Sequence, residues 1–312
     1  MAIQHELSWS ASRAGTFDSC KRRYYFDYYL SWLGWGNNAA APRREAYLLK
    51  KMTRMPMLAG DLVHQAIEAW LKEKQKGNTM TREAMMNFAI EGLREGYKTS
   101  RNGTWKSRPS KLIHLAEHQF KEPCIDEKDG SAGDYGKRYV ERMQQSIDNF
   151  LDSPALALAR EADPDGYLAC EEMSTFDFEG TKVYAIPDFA FRDASGIVHV
   201  YDWKTGRPNP RDAFQLAVYV EYAVASWDVD PDNVICYDAY LQQGEIVEQR
   251  LNAEEREEMR TRMIETMGAM REVHFSADKG VGNERDFPCV PDPGQGGFPC
   301  NSCNYREVCG RG

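Results

Sequence analysis

No stretch of the 312-residue chain strings together the roughly 18 apolar residues that a membrane-crossing helix needs, so no span is expected. The first residues, MAIQHELSWSASRAG, lack the basic-then-apolar order of an export leader, and a cytoplasmic protein is expected. No G-x-x-x-x-G-K-[ST] loop occurs, which leaves out a built-in ATPase. Internal repeats and low-complexity linkers are missing too. Positive charge is short: 39 Lys and Arg stand against 48 Asp and Glu, a net of −9. That balance does not suit a protein that coats nucleic acid by bulk electrostatics.

What is present describes a packed globular chain, 42% hydrophobic and 28% charged. Charge is unevenly placed. Residues 1–60 carry nine Lys and Arg against four Asp and Glu. The run Lys98–Lys111, KTSRNGTWKSRPSK, has five basic residues and no acid, which suits either a solvated loop or a clamp on phosphates.

The N-terminal half reads as helical. RAGTFDSCKRRYYFDYYLSWL sets aromatics at helical spacing, and PMLAGDLVHQAIEAWLKEK carries an apolar stripe of Leu62, Val63, Ala66, Ile67 and Trp70. Further helices are expected near 81–97, 111–121 and 134–151. From Gly166 the texture changes to three successive strands, GYLACEEMSTFDF, TKVYAIPDFAFRD and GIVHVYDWKT. A helix follows in RDAFQLAVYVEYAVASW, then strands in NVICYDAYLQ and EIVEQRL, then a charged helix from about 253 to 273. The fold class is α/β, a mixed sheet flanked by helices. A single domain is expected over 1–312: an N-terminal segment 1–56, a helical region 57–165, an αβ core 166–275 and a C-terminal cysteine-rich coil 276–312.

The third strand ends on Asp202, Trp203 and Lys204. Side chains alternate along a strand, so Asp202 and Lys204 share a face and Trp203 takes the other. With Ala194-Ser195-Gly196 as a three-residue loop and Gly196 left-handed, paired residues sum to 390 and Asp188 opposes Asp202. Carboxylates so opposed, Cβ atoms about 5 Å apart, repel each other. A hard divalent cation would offset that repulsion, and Lys204 beside it could orient a water. The plainer alternative is a surface hairpin whose acids Lys204 merely neutralises. His64 lies on the amphipathic helix, offset from Leu62 and Ile67. Gln215 and Tyr219 are four apart on one helix face just after Lys204.

Together AGDLVHQAIEAW, IPDFAF, VYDWKTGRP and QLAVY resemble the PD-(D/E)XK nucleases, specifically their RecB-like branch. The likeness extends over about 160 residues. It implies the restriction-endonuclease-like core with an N-terminal helical insertion. It also implies Mg²⁺ or Mn²⁺ held by Asp188, Asp202 and His64, with help from the Trp203 carbonyl. Lys204 would hold the attacking water and stabilise the charged transition state, supported by Gln215 and Tyr219. Glu171 or Glu172 stands where an auxiliary acid often sits. Ala185 replaces the glycine often found three residues before the metal-binding Asp.

Of eight cysteines, Cys170 and Cys236 sit in apolar strands and read as core, and Cys124 and Cys289 are scattered. Cys300, Cys303 and Cys309, spaced C-x₂-C-x₅-C in Pro/Gly-rich coil, read as a metal or cluster site that needs a fourth ligand. Cys20 is the first choice and Cys289 the local competitor. Spacing leaves Zn²⁺ and [4Fe–4S] open. The ends SWSASRAGTFDSCKRRYYF and FPCNSCNYREVC are similar to those of AddB-type nuclease domains, eukaryotic exonuclease V and the iron–sulfur exonucleases of CRISPR adaptation. That likeness implies a structural [4Fe–4S] cluster on Cys20, Cys300, Cys303 and Cys309.

The expected activity is metal-dependent DNA hydrolysis, as an exonuclease on single-stranded or end-exposed DNA. Lys21, Arg22, Arg23, Lys106 and Arg108 would touch phosphates, and exposed N-terminal aromatics would stack on bases. A partner helicase would supply any unwinding. The alternative is a non-catalytic DNA-end-binding or scaffold subunit. Repair, CRISPR adaptation, phage recombination and antiviral defence all suit such a protein.

Overall fold

The computed structural model describes residues 5–122, 124, 133–209, 212–274, 282–291 and 297–310. In chain order the elements are β1 (Ser8–Trp9), α1 (Ala11–Ser19), α2 (Lys21–Tyr25), α3 (Ala41–Lys51), α4 (Met55–Gln75), α5 (Arg82–Arg101), α6 (Ala116–Gln119), α7 (Gly133–Asp152) and α8 (Ala157–Glu161). Then come β2 (Tyr167–Cys170), β3 (Ser174–Phe178), β4 (Thr181–Ala185), β5 (Phe189–Arg192), β6 (Val198–Lys204), α9 (Asp212–Trp227), β7 (Val234–Tyr240), β8 (Glu245–Gln249) and α10 (Ala253–His274). This is the expected mixed α/β class. Arg211, the first residue of the expected helix, and parts of the C-terminal coil lie outside the described residues.

Two compact units share the chain. One comprises Met1–Met52, Asp177–Tyr184 and Arg260–Gly312; the other comprises Thr53–Phe176 and Ala185–Met259. In the first, β1 pairs parallel with β4, Trp9 opposite Val183, in a small sheet of order β1-β4-β3. Trp9 is fully buried and its indole N–H donates to Thr266 on α10. A π-helical turn, Phe26–Leu30, extends α2 and supplies buried Phe26 and Tyr29. The C-terminal segment packs back onto this region. Tyr305 donates to Asp27 Oδ1 at 2.7 Å, and Asn304 Nδ2 donates to the carbonyls of Leu49 and Met52 that end α3.

The second unit holds a five-stranded sheet of order β2-β5-β6-β7-β8. β5 and β6 pair antiparallel, Phe189 opposite Tyr201 and Ala190 opposite Val200, with Gly196 at φ +89° in the turn. Both pairs sum to 390, the register the loop dictates. β6 and β7 are parallel, with α9 as the crossover between them, and β7 pairs antiparallel with β8. Six of the seven residues of β6 are buried, as expected of a strand covered on both faces. Helices α4, α5 and α7 pack on one another; Phe150 of α7 meets Trp70 of α4 and Trp203 of β6 edge to face. No helix among the described residues is long and apolar enough to cross a membrane.

Two strands expected to be continuous are broken. GYLACEEMSTFDF splits into β2 and β3 around Glu171, whose φ is +55°. TKVYAIPDFAFRD splits into β4 and β5 around Ile186-Pro187-Asp188. Proline has no N–H to give a ladder and disfavours strand interiors. A non-glycine residue at positive φ points its side chain out of the pleat. The helix expected over 111–121 contracts to the single turn α6, preceded by a parallel bridge between Thr53 and Leu115.

Candidate active site

The breaks in the two strands are what build the site. Glu171, just past β2, and Asp188, just before β5, both come to His64 in the middle of α4. His64 Nδ1 lies 3.5 Å from Glu171 Oε1 and 3.5 Å from Asp188 Oδ1. One ligand atom from each of the three lies within 4.8 Å of the others. Glu171 Oε1 is buried and accepts no hydrogen bond from the described residues. Burial disfavours a charged imidazole, but the carboxylates of Asp188 and Glu171 outweigh it and hold the His64 pKa well above its ordinary value. Burial raises the Asp188 carboxyl; His64 draws it back in part and the charge of Asp202 adds to the rise. Two oxygen donors and an imidazole that gives up its proton when the ion arrives fit a hard divalent cation.

α4 is set close to the sheet by Gly60. A Cβ there would meet Thr205 Oγ1 at 2.6 Å, so a larger residue would have to displace the Thr205 side chain or the helix itself, one turn before His64. A cleft of about 230 Å³ opens beside this contact, lined by Gly60, Val63, Arg142 and Thr205 among others.

Asp202 and Lys204 leave β6 on the α9 face, while Trp203 turns to Phe150 on the other side. Asp202 lies outside the His64 group. Its Oδ1 accepts from Gln215 Nε2 at 2.8 Å and lies 3.0 Å from the Tyr219 hydroxyl; its Oδ2 pairs with Lys204. Gln215 Oε1 in turn accepts from Lys204 Nζ at 3.2 Å. The Tyr219 hydroxyl also lies 2.9 Å from the carbonyl of Ile186. Burial, then the negative charges of Asp202 and Asp188, push the Tyr219 phenol well up, so it stays protonated. The backbone N–H of Trp203 donates to Asp188 Oδ2, which ties the two strands across their ends.

Lys204 Nζ lies 3.7 Å from Asp212 Oδ1 and 3.7 Å from Asp238 Oδ1, besides its pair with Asp202. Burial works against its charge, yet Asp202 and then Asp212 and Asp238 raise its pKa overall. It is therefore an ammonium that donates hydrogen bonds and opposes negative charge, and is no proton acceptor. Burial pushes the Asp238 carboxyl up to about 7, with Lys204 opposing the rise. Asp212 and Asp238 were missed from sequence. Asp238 carried a signal, as the one acid in the apolar strand VICYDAY; parallel register places it directly beside Asp202. Glu172, weighed with Glu171, is exposed.

In the first unit Cys20, Cys289, Cys300, Cys303 and Cys309 line one small pocket. Cys289 Sγ lies 3.6 Å from Cys309 Sγ. Arg22 and Arg23 line the same pocket and are engaged within the unit. Arg22 donates to the Phe287 carbonyl at 2.8 Å and pairs with Glu284, and Arg23 lies 3.6 Å from Asp27. Lys21 is exposed over the Phe17 ring, and Lys106 and Arg108 are exposed around a 3-10 turn.

The sequence matches the family model of the PD-(D/E)XK nuclease superfamily over residues 8–310. No curated protein matches it.

Proposed function

The chain belongs to the PD-(D/E)XK nuclease superfamily, whose members cleave phosphodiester bonds, and on that premise we propose that it is a Mg²⁺- or Mn²⁺-dependent DNA exonuclease acting on single-stranded or end-exposed DNA. The observation that carries the reading is the group His64, Glu171 and Asp188, with ligand atoms inside 4.8 Å, next to the Asp202–Lys204 end of β6. Glu171, Asp188 and His64 would hold the cation, with Asp202 the next carboxylate along. A divalent ion there supplies Lewis-acid stabilisation of the charge that builds on a scissile phosphate. Lys204 orients the attacking water and faces the developing oxyanion charge as a fixed ammonium. Gln215 and Tyr219 hold Asp202 and Lys204 in place through the hydrogen bonds above. Lys21, Lys106 and Arg108 lie exposed for phosphate contacts; Arg22 and Arg23 serve the cysteine pocket first.

Cys20, Cys300, Cys303 and Cys309 would carry a [4Fe–4S] cluster, with Cys289 the candidate for exchange. The likeness of the two cysteine-bearing ends to iron–sulfur nucleases supports a cluster, and the five cysteines that line one pocket supply enough ligands for it. A cluster would tie the segment after α1 to the C-terminal coil and serve a structural role.

The test is digestion of end-labelled single- and double-stranded DNA, linear against circular, by cluster-loaded protein with Mg²⁺ or Mn²⁺. Release of mononucleotides or short products from linear DNA alone is expected, and Lys204→Ala should be inactive. Absence of metal-dependent cleavage would instead favour an end-binding scaffold.

A further inference from the structure

A cleft of about 490 Å³ lies wholly within the first unit, on residues separate from those around His64 and Lys204. That volume falls in the range of about 300–1,000 Å³ that small-molecule sites occupy. Its walls combine indole rings with fixed cations. Trp32 and Trp35 meet edge to face at 5.3 Å, and Trp35 is 44% exposed. Its second ring contact, Tyr47 at 6.2 Å, is edgewise as well, so both neighbours leave part of the Trp35 face open.

The cations are held by other rings. The Arg13 guanidinium lies 4.7 Å from the Tyr28 ring centre and 5.1 Å from that of Tyr184, and its Nη1 donates to the Ser8 carbonyl. Lys50 Nζ lies 4.6 Å from the Tyr28 ring and donates to the Asp27 carbonyl at 2.6 Å. Lys51 stands over Tyr47 at 5.9 Å. Cations anchored this way lose little freedom when they meet an anion. Among the described residues lining the cleft the only acid is Glu6, which is exposed and 3.8 Å from Lys182. A chain of net charge −9 thus gathers three cations and an exposed indole in one place. A lipid would need a continuous apolar wall, which His5, Ser8, Ser31 and the lysines interrupt.

We infer that this cleft takes an unpaired nucleobase on its tryptophans and the attached phosphate on Arg13, Lys50 and Lys51. The inference deepens the nuclease reading, on which its choice of DNA rests. Two sources carry that chemistry, a base of the substrate strand and a free mononucleotide, and one experiment separates them.

Full-length, cluster-loaded protein in EDTA is titrated against a fluorescein-labelled single-stranded dT oligomer by anisotropy, and against dTMP by tryptophan quenching. Trp35→Ala should weaken oligomer binding about tenfold, the effect of removing one base–aromatic stack, while Trp35→Phe keeps most of it. The pair Lys50→Glu and Lys51→Glu should weaken binding and flatten its salt dependence. If dTMP also binds and loses affinity in Trp35→Ala, the free nucleotide is a ligand in its own right; if dTMP does not bind, the strand is the source. Oligomer and dTMP affinities unchanged in Trp35→Ala and in the lysine variants, each with wild-type circular dichroism, would overturn the inference. Trp35→Ala measured in the Lys204→Ala background keeps the readouts apart: that background should fail to cleave, and the further loss of affinity on removing Trp35 should persist in it, so a failed nuclease reading leaves the binding result intact.

Discussion

Two acids that split strands into shorter pieces are also the carboxylates of the proposed cation site. Glu171 takes a positive φ that few non-glycine residues tolerate, and Asp188 follows a proline that ends a ladder. Strain of this kind survives only where the surroundings impose it, and it gathers at functional sites. Glu171→Gln should therefore weaken Mn²⁺ binding by about 10–100-fold, the usual scale for losing a metal-supporting carboxylate. Calorimetric titration of Mn²⁺ checks this, and wild-type affinity in the variant would remove Glu171 from the cation site. Lys204→Gln should lower the cleavage rate by about 10²–10³, as for losing one fixed donor at a developing oxyanion. Single-turnover kinetics at saturating Mn²⁺ is the measurement.

Two buried histidines give the fold a pH dependence with a fixed sign. His114, stacked on Trp105 at 3.6 Å, and His274, 2.7 Å from the Tyr29 hydroxyl, are each lowered to about 4 by burial. Unfolded histidine titrates near 6.5, so the unfolded chain binds more protons between about 4 and 6.5. Their contribution is complete above pH 6.5 and is lost as pH falls toward 4, on the order of 1–3 kcal/mol for each group. Urea denaturation of His114→Phe should show a shallower loss of stability between pH 6.5 and 4.5 than wild type. Equal slopes would mean that His114 is protonated without cost in the fold.

At the level of elements, the hairpin was legible and its edges were not. The β5–β6 register followed from loop length alone, because period-two strands joined by a fixed turn leave one pairing. The helix carrying His64 followed from its apolar stripe. What sequence could not supply was the distance between elements from different parts of the chain. Asp238 is adjacent to Asp202 only because β7 runs parallel to β6, a pairing set by the α9 crossover. Glu171 and Glu172 were equivalent on paper until the backbone turned at Glu171. Gly60 looked like an ordinary helix glycine until Thr205 came against it. Gly60→Ala should push α4 off the end of β6 and cost about tenfold in cleavage, since displacements of an ångström misalign reacting groups. Thr205→Ala should restore much of that loss in the double variant, because the next atom, Thr205 Cβ, is an ordinary 3.7 Å away. A double variant no better than Gly60→Ala would show that the contact is not what seats His64.

At the scale of the whole molecule, the compact units cut across chain order, since residues 1–52 and 260–312 fold together. Amphipathic patterns state which face of an element is buried and are silent about its partner, so this grouping has no linear signature beyond the cysteines at both ends. The second unit encloses its own core of Leu71, Ile147, Phe150, Phe189 and Tyr201, all from 53–259. The first unit buries Trp9, Phe17, Tyr24, Met267 and Phe287 and adds point ties: Tyr305 to Asp27, Asn304 to the end of α3, and the cysteine pocket. If four of those cysteines share a cluster, removing one ligand takes away binding energy that only the folded first unit can use. Cys303→Ser should then lose visible absorption and speed amide exchange in α1 to α3. Protection in β6 and β7, deep in the other core, should stay near wild type. Cys20→Ala and Cys289→Ala, compared for iron content, identify the fourth ligand by which of the two fails to hold it. Uniform loss of protection across both units in Cys303→Ser would mean that the cysteine pocket supports the entire chain and not the terminal unit alone.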